Sequence, residues 1–282
     1  MFPRSFDYVA PASIDEAVSA LAGGEFAKVM SGGMSLLPLM KLRLLSPDLV
    51  VDVGRIPGLD SIADQAEQVV IGALVRHHQT AASDSVPAAL RTAAAWTGDV
   101  QVRNRGTTCG AVAHGDIAAD QPAAVLALGG IIVARGPQGE REIPASDFFL
   151  DALTTALEPD EILTEIRIPK NAGSSAYDKL GRRGGHTDYA VAGAAAWVMR
   201  SNGHVSDCRV ALTGVAAKPT LAAAAAQALV GTDGSEGAIA AAADKAAQDL
   251  VVLEDLYGSV EYKTHLAKVF AKRALTKALA GS

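Results

Sequence analysis

The chain has 282 residues, of which 49% are hydrophobic and 20% charged, and a formal net charge of -6. This composition is typical of a globular protein with a substantial core, and it excludes a largely disordered chain. The negative charge argues against broad nucleic-acid binding, and no uncharged apolar run approaches the ~18 residues that cross a bilayer, so neither nucleic acid nor stable membrane insertion is expected.

The first fifty or so residues predict short strands that alternate with helices. A strand at residues 6–9 precedes a helix that Ser13 caps and that Gly23 ends. A strand at residues 28–30 leads into a loop, a helix covers roughly residues 36–44, and the apolar run 49–53 predicts a buried strand. This order is typical of a small parallel unit. The opening residues lack the apolar segment of a signal peptide, so a cytoplasmic location is expected.

Residues 31–35, here called the first loop, begin the sequence SGGMSLLPLMK. Gly32 and Gly33 can adopt positive φ and aim successive backbone N–H groups into one concavity. Ser35 suits the N-cap of the next helix, and Pro38 suits its first turn, where a missing N–H costs little. The positive end of that helix would point at the same spot, as in phosphate sites. An ordinary helix-capping turn is the alternative interpretation.

The middle of the chain predicts strands separated by turns and two helices. The helices are expected at residues 87–96 and 122–128, with Asp120 as N-cap of the second and Gly129 at its end. The predicted strands are residues 69–75, 131–135 and 162–168.

After a linker predicted at residues 171–175, the C-terminal part of the chain predicts strands followed by helices. The strands are expected at residues 191–200 and 208–215. The helical runs, two of them rich in alanine, are residues 220–230, 235–251 and 263–279.

Residues 104–121, here called the second loop, read NRGTTCGAVAHGDIAADQ. Gly106 and Gly110 would let the backbone approach a bulky ligand, the threonine hydroxyls could bond a pyrophosphate, and Asp116 and Asp120 could accept from ribose or ribityl hydroxyls. Two such loops suit a dinucleotide. They do not suit phosphoryl transfer or a Rossmann site, because neither the P-loop lysine motif nor the dinucleotide glycine fingerprint is present.

The cysteines and histidines do not form a metal-binding pattern. Cys109 and Cys208 are far apart and outside any CxxC spacing, which rules out a cysteine-ligated iron–sulfur cluster built by this chain alone. A redox role would therefore need an organic cofactor. His77 and His78 are expected at a strand end. His114 is expected to make local hydrogen bonds, with proton donation as the alternative.

Together these segments resemble the medium, FAD-binding subunit of the molybdenum hydroxylases, the group that includes carbon monoxide dehydrogenase and xanthine dehydrogenase. SGGMSLLPLMK is similar to the family's AGG-x-SLLP-x-x-K pattern, and RNRGTTCGAVAHGDIAAD is similar to its second-loop pattern. DEILTEIRIP and YDKLGRRGGHTDYAVAGAA, at residues 160–169 and 177–195, also fit. The resemblance therefore spans nearly the whole chain.

The resemblance implies an α+β fold. A two-lobed PCMH-type FAD-binding domain would cover residues 1–174, with lobes of about 1–54 and 55–174. A C-terminal domain of antiparallel sheet packed with helices would cover residues 175–282.

The resemblance also implies a function and partners. This chain would bind FAD, and its partners would be a large molybdopterin-binding subunit and a small subunit with two [2Fe-2S] clusters, in a dimer of heterotrimers. Electrons would pass from those clusters through FAD to NAD, oxygen or a quinone, so no residue is expected to be a catalytic acid, base or nucleophile. The alternatives are a self-contained FAD-dependent oxidoreductase and a non-redox nucleotide-binding scaffold.

The resemblance further implies which residues contact FAD. Lys179 would lie near the flavin pyrimidine, where a cation stabilises the charge of the reduced ring. Tyr189 would lie near the isoalloxazine face, Leu163 against the ring edge, and Asp120 at a ribityl hydroxyl. The other implied contacts are Lys28, Val29, Met30, Ser31, Gly32, Gly33, Met34, Ser35, Leu36, Thr107, Thr108, Gly110, Ala111 and Asp116. Capping, core packing or a solvated side chain is the alternative role for these residues.

Cys109 departs from the family pattern, in which the second loop usually carries two adjacent glycines. Cysteine adopts positive φ less readily than glycine. Either this backbone position tolerates a side chain, or the loop is displaced.

Overall fold

A computed structural model describes residues 2–281. The N-terminal segment (residues 2–54) is a three-stranded parallel sheet with β3 at its centre, which confirms the predicted parallel unit. Ser13 Oγ accepts from Glu16 N at 3.2 Å and caps α1 as predicted. The elements are β1 (Asp7–Val9), α1 (Ile14–Ala22), β2 (Ala27–Met30), α2 (Leu36–Lys41) and β3 (Leu49–Asp52).

The middle segment (residues 55–173) is a five-stranded antiparallel sheet with strand order β4-β5-β10-β6-β7. Its strands are β4 (Ile62–Asp64), β5 (Gln68–Gly72), β6 (Ile131–Gly136), β7 (Gly139–Pro144) and β10 (Ile162–Pro169), with a small hairpin of β8 (Phe149–Asp151) and β9 (Thr154–Thr155). Its helices are α3 (His77–Ala82), α4 (Ala88–Ala95), α5 (Val100–Arg105), α6 (Thr108–His114), α7 (Asp120–Leu128) and α8 (Ala145–Phe148).

The C-terminal segment (residues 174–281) is a four-stranded antiparallel sheet in strand order, with three helices. Its elements are β11 (Ser174–Gly181), β12 (Ala190–Ser201), β13 (His204–Thr213), β14 (Thr220–Leu221), α9 (Ala223–Leu229), α10 (Glu236–Ala243) and α11 (Val260–Ala280).

The alternating residues of β12 join the C-terminal sheet to two cores. Ala194 and Ala196 pack with the C-terminal helices, whereas Ala195 and Trp197 belong to the core of the middle segment. This follows from the two-residue period of a strand, and the small side chains let helices approach both faces. The predicted α+β architecture is confirmed.

Several local predictions were wrong. The strand predicted at residues 69–75 ends at Gly72, and the helix predicted over 235–251 ends at Ala243. Residues 174–175 open β11 rather than forming part of a linker. His77 and His78 begin α3 instead of ending a strand, and α7 begins at Asp120 with Ala119 as its N-cap.

Among the helices described in residues 2–281, none combines the length and the apolar character that a bilayer crossing requires.

Candidate functional site

The first and second loops meet at the boundary between the N-terminal and middle segments. Ser31 Oγ lies 2.9 Å from Thr107 Oγ1. Gly32 is so close to the second loop that a Cβ there would lie 2.3 Å from Arg105 O and 2.8 Å from Gly106 Cα. Since both neighbours are backbone atoms, only glycine permits this approach. The two loops therefore form one continuous surface.

The first loop turns sharply into α2. Gly33 has φ of 74°, in the left-handed region that favours glycine, and its carbonyl accepts from Leu37 N at 3.0 Å. Ser35 is the N-cap of α2, as predicted, but its side chain makes no capping bond. Burial raises the pKa of Tyr189, and a hydrogen bond with Ser35 opposes that shift. Ser35, in the first loop, therefore lies close to Tyr189 of the C-terminal segment.

Much of the second loop is helical. Thr107 Oγ1 accepts from Gly110 N at 3.1 Å and caps α6. Thr108 is fully buried, and its hydroxyl lies 2.7 Å from Thr80 Oγ1 on α3. Gly110 and Ala111 are half-buried in the first turn of α6. Of the two threonines, Thr107 is therefore the one that contacts the first loop.

Cys109 lies within α6 and does not have positive φ, so this position tolerates a side chain. Its Sγ is 3.3 Å from Ile71 O and 3.4 Å from Gly72 O in the middle sheet, and burial raises the pKa of the thiol. A covalent flavin link through Cys109 does not fit this orientation. Cys208 is also a buried free thiol, and residues 2–281 contain no cluster of three or more His, Cys, Asp or Glu side chains suited to a metal ion.

Asp120 and Lys179 form a buried ion pair, at the start of α7 and on β11 respectively. Asp120 Oδ2 lies 2.6 Å from Lys179 Nζ, and Asp120 Oδ1 accepts from Tyr177 Oη at 2.5 Å. The Lys179 ammonium also donates to Asp188 O at 2.6 Å and Trp96 O at 3.3 Å. Burial raises the pKa of Asp120 to about 6, although Lys179 and Tyr177 oppose the shift.

Tyr189 lies at the edge of this region and is 40% exposed. The Arg182 guanidinium is 5.3 Å from its ring centroid and 4.5 Å from that of Tyr257. Asp116 Oδ1 accepts from Ala118 N at 2.8 Å. Burial lowers the pKa of His114, with Asp116 opposing the shift.

The other residues that the resemblance implied lie on β2, in the first loop, on α2 and in the middle sheet. Lys28 and Met34 are exposed. Leu163 is 6% exposed and belongs to the core of the middle segment. The half-buried members are Val29, Met30 and Leu36.

Tyr177, Trp96 and His186 also lie in this region, although they were not among the residues expected from the sequence. The rings of Trp96 and His186 stack with centroids 3.6 Å apart and an interplanar angle of 12°, beside Lys179. The two-residue spacing of Tyr177 and Lys179 would have placed both on one face of a strand, had residues 174–181 been recognised as β11. His186 lies in a glycine-rich loop, and we find no sequence signal that pairs it with Trp96.

Comparison with known proteins gives matches over the whole chain. The family model described as "FAD binding domain in molybdopterin dehydrogenase" matches residues 4–171, and that described as "CO dehydrogenase flavoprotein C-terminal domain" matches residues 175–278. The carbon monoxide dehydrogenase medium chain of Hydrogenophaga pseudoflava is 42% identical, with 99% of each chain covered. The 6-hydroxypseudooxynicotine dehydrogenase complex subunit alpha of Paenarthrobacter nicotinovorans is 37% identical, covering 99% of this chain and 96% of the relative. The solved carbon monoxide dehydrogenase from H. pseudoflava that lacks the Mo-pyranopterin moiety matches with a TM-score of 0.94, 43% identity and 99% of each chain covered.

Proposed function

Because the chain belongs to the family of FAD-binding medium subunits of the molybdenum hydroxylases, we propose that the contact between its two loops holds the pyrophosphate of one FAD. The protein is a flavoprotein oxidoreductase subunit. The observation that carries the proposal is the approach of Gly32 to Arg105 O, because it brings the backbones of the two loops closer together than any Cβ would allow. Gly33 adds the positive φ that turns the chain toward that surface.

The remaining site residues have separable roles in this proposal. Ser31 and Thr107 would bond the pyrophosphate from opposite loops, and Tyr189 would lie at the ring face. Lys179 would place its ammonium near the flavin pyrimidine, where positive charge favours the reduced ring. Asp120 would act mainly as the counter-ion of Lys179, because both of its carboxylate oxygens already accept hydrogen bonds. The remaining lone pairs of these oxygens could accept a hydrogen bond from a ribityl hydroxyl.

When bound, FAD supplies the redox chemistry, taking electrons from a donor and releasing them to an external acceptor. This chain's own residues bind the cofactor, orient it and set the charge around it. We propose that the donor is a pair of [2Fe-2S] clusters on a small partner subunit, beside a large molybdopterin subunit, in a cytoplasmic dimer of heterotrimers. Relatives named as medium chains and as a complex subunit support a multi-subunit assembly, and two buried free thiols suit a reducing compartment.

We propose domain boundaries at residues 1–174 and 175–282, with lobes of about 1–54 and 55–174 in the first domain. The change of sheet near residue 174 and the family models, which end at residue 171 and resume at residue 175, support this division.

The test is Gly32→Ala, with Gly237→Ala as the matched control. The new Cβ at position 32 meets backbone and must separate the loops, so we expect FAD affinity to fall at least about tenfold, or ~1.4 kcal/mol. Gly237 lies in α10 with no neighbour within 4 Å of its Cβ position, so alanine there should leave FAD retention unchanged. The measurement is flavin absorbance per protein after desalting.

Full flavin retention in Gly32→Ala would overturn the placement of the pyrophosphate. Wild-type protein that fails to bleach near 450 nm under anaerobic dithionite would overturn the redox role and favour the scaffold alternative.

A further inference from the structure

Tyr177, Asp120 and Lys179 form a buried triad at the junction of the middle and C-terminal segments. They are 1%, 4% and 2% exposed, respectively. The Tyr177 hydroxyl donates to one carboxylate oxygen and the Lys179 ammonium to the other, at 2.5 and 2.6 Å. The carboxylate is thus held between two donors from one strand, two residues apart.

Burial at this junction disfavours the charged form of each side chain in the triad. An isolated buried ammonium or carboxylate is costly, and each is tolerated only when paired and hydrogen-bonded. The ionised state of Asp120 therefore depends on both donors, and the charge of Lys179 is balanced only while Asp120 is ionised. Burial raises the pKa of Asp120 to about 6, and the hydrogen bond from Tyr177 limits that rise.

We propose that Tyr177 is a positioning residue of the flavin site: its hydroxyl holds the Asp120 carboxylate in its ionised, Lys179-facing form and so sets the charge that Lys179 presents. This inference rests on the proposed function, in which Lys179 lies beside the flavin. Tyr177 itself touches neither substrate nor cofactor in this arrangement.

Other titratable groups pack around the triad, and their surroundings determine which of them change protonation between pH 5 and 8. On α3, His77 contacts Gln121, and burial beside Arg103 and Arg76 lowers the pKa of His77 to about 4, so it stays neutral there. At the end of α4, Trp96 O accepts from Lys179, and the His186 ring stacks on Trp96 with centroids 3.6 Å apart.

Two further carboxylates lie near the triad. Asp178 on β11 pairs with Lys277 of α11 at 2.7 Å, and Asp188 pairs with Arg183 at 2.8 Å. Burial raises the pKa of Tyr189, and the charges of Asp116 and Asp120 add to that rise. At the opposite end of α7, Arg209 lies against Gly129 and not against the triad.

The consequence is a pH-dependent charge beside the flavin. When pH falls through the pKa of Asp120, the carboxylate is neutralised and the Lys179 ammonium loses its counter-ion. Net positive charge then favours the reduced flavin, so the midpoint potential should rise more steeply below that pH. Removing the Tyr177 hydroxyl should raise the pKa of Asp120 and move the inflection upward by about one pH unit or more.

The experiment measures the flavin midpoint potential from pH 5 to 8 in the flavin-loaded protein, in the assembly in which it is purified. Tyr177→Phe removes only the hydroxyl. The matched control is Tyr8→Phe, because Tyr8 Oη donates to Asp52 Oδ2 at 2.6 Å in the N-terminal segment, far along the chain from the triad. Asp120→Asn and the double variant Tyr177→Phe/Asp120→Asn complete a double-mutant cycle. This cycle isolates the effect of Tyr177 that is transmitted through Asp120.

We expect an upward shift of the inflection in Tyr177→Phe, no shift in Tyr8→Phe, and an altered pH profile in Asp120→Asn that retains only the titration of the flavin itself. We also expect Tyr177→Phe to have no further effect in the Asp120→Asn background. An unshifted inflection in Tyr177→Phe, or an equal change of potential in both backgrounds, would overturn the proposal. If Tyr177→Phe does not fold, a wild-type pH profile of the potential that is unchanged in Asp120→Asn overturns the proposal equally. A wild-type protein without flavin would instead contradict the proposed function.

Discussion

The Cys109 side chain packs against the middle sheet and leaves the backbone of the second loop unrestricted. Its thiol lies against Ile71 O and Gly72 O, on the core side of α6, while its neighbour Gly110 faces Ser31. Successive helical residues point in directions about 100° apart, which follows from 3.6 residues per turn, so one can pack inward while the next faces the first loop. Of the two alternatives for this position, the structure supports a backbone that tolerates a side chain, because Cys109 lies within a helix.

Replacing Cys109 with glycine should therefore destabilise the protein without improving cofactor binding. The loss of a buried side chain and the lower helix propensity of glycine together cost about 2 kcal/mol. Urea denaturation measures this, with Cys109→Ala, which keeps helix propensity, expected to lose about half as much. Tighter FAD binding by the glycine variant would show that the thiol does restrict the loop.

The helix N-termini beside the site can be predicted from the sequence because they follow local rules. The contact between the two loops cannot be predicted in this way. The caps at Ser13 and Ser35 and the strands that flank them were predicted from residue type and spacing. By contrast, residues 104–121 were predicted as a ligand-binding loop, whereas Thr107 is the N-cap of α6 and residues 108–114 are helical. The bond between Thr107 and Ser31 spans 76 positions, which no local pattern encodes.

Two caps of the same kind allow the role of Thr107 in binding to be separated from its role in stability. Thr107→Ala and Ser13→Ala each remove a side-chain acceptor from a helix N-terminus, and each should lower the free energy of unfolding by about 1 kcal/mol. Only Thr107→Ala also removes a group that faces the first loop, so only that variant should release FAD faster. Guanidinium denaturation and flavin release after dilution measure the two effects. Equal flavin release in both variants would mean that Thr107 acts through stability alone.

Across the whole molecule, the proposed domains share one core. The hydrophobic cluster that contains Ile71 and Ile132 also contains Tyr177, Ala195 and Trp197. The resemblance to the family implied an order of domains, but the residues alone did not reveal this shared packing. The apolar pattern of β12 indicates that both faces of the strand are covered. It does not indicate which elements cover them. The triad of Tyr177, Asp120 and Lys179 was missed for the same reason, since it forms only where α7 and β11 meet.

Backbone hydrogen bonds also connect the middle segment to the C-terminal segment. Gly214 N donates to Ile117 O at 2.7 Å and Ala190 N donates to Ala118 O at 3.0 Å. The segment that joins α6 to α7 is thus held by the C-terminal sheet, and it carries Asp116 close to the site. The geometry of the candidate site therefore depends on both proposed domains.

We therefore expect the middle and C-terminal segments to unfold together, since separating them would expose a shared apolar core and unpaired buried carbonyls. Trp96 ends α4 in the middle segment and Trp197 lies on β12 in the C-terminal segment, and the chain has only these two tryptophans. In Trp197→Phe the fluorescence reports Trp96, which stacks on His186 of the C-terminal segment. In Trp96→Phe it reports Trp197, which packs in the core of the middle segment, so each tryptophan reports the boundary between the two segments. In each variant, the urea midpoint from fluorescence should coincide with the midpoint from far-UV circular dichroism, which serves as the internal control. Midpoints that separate in either variant would mean that the two segments are energetically independent, and that the cofactor surface can survive loss of the C-terminal sheet.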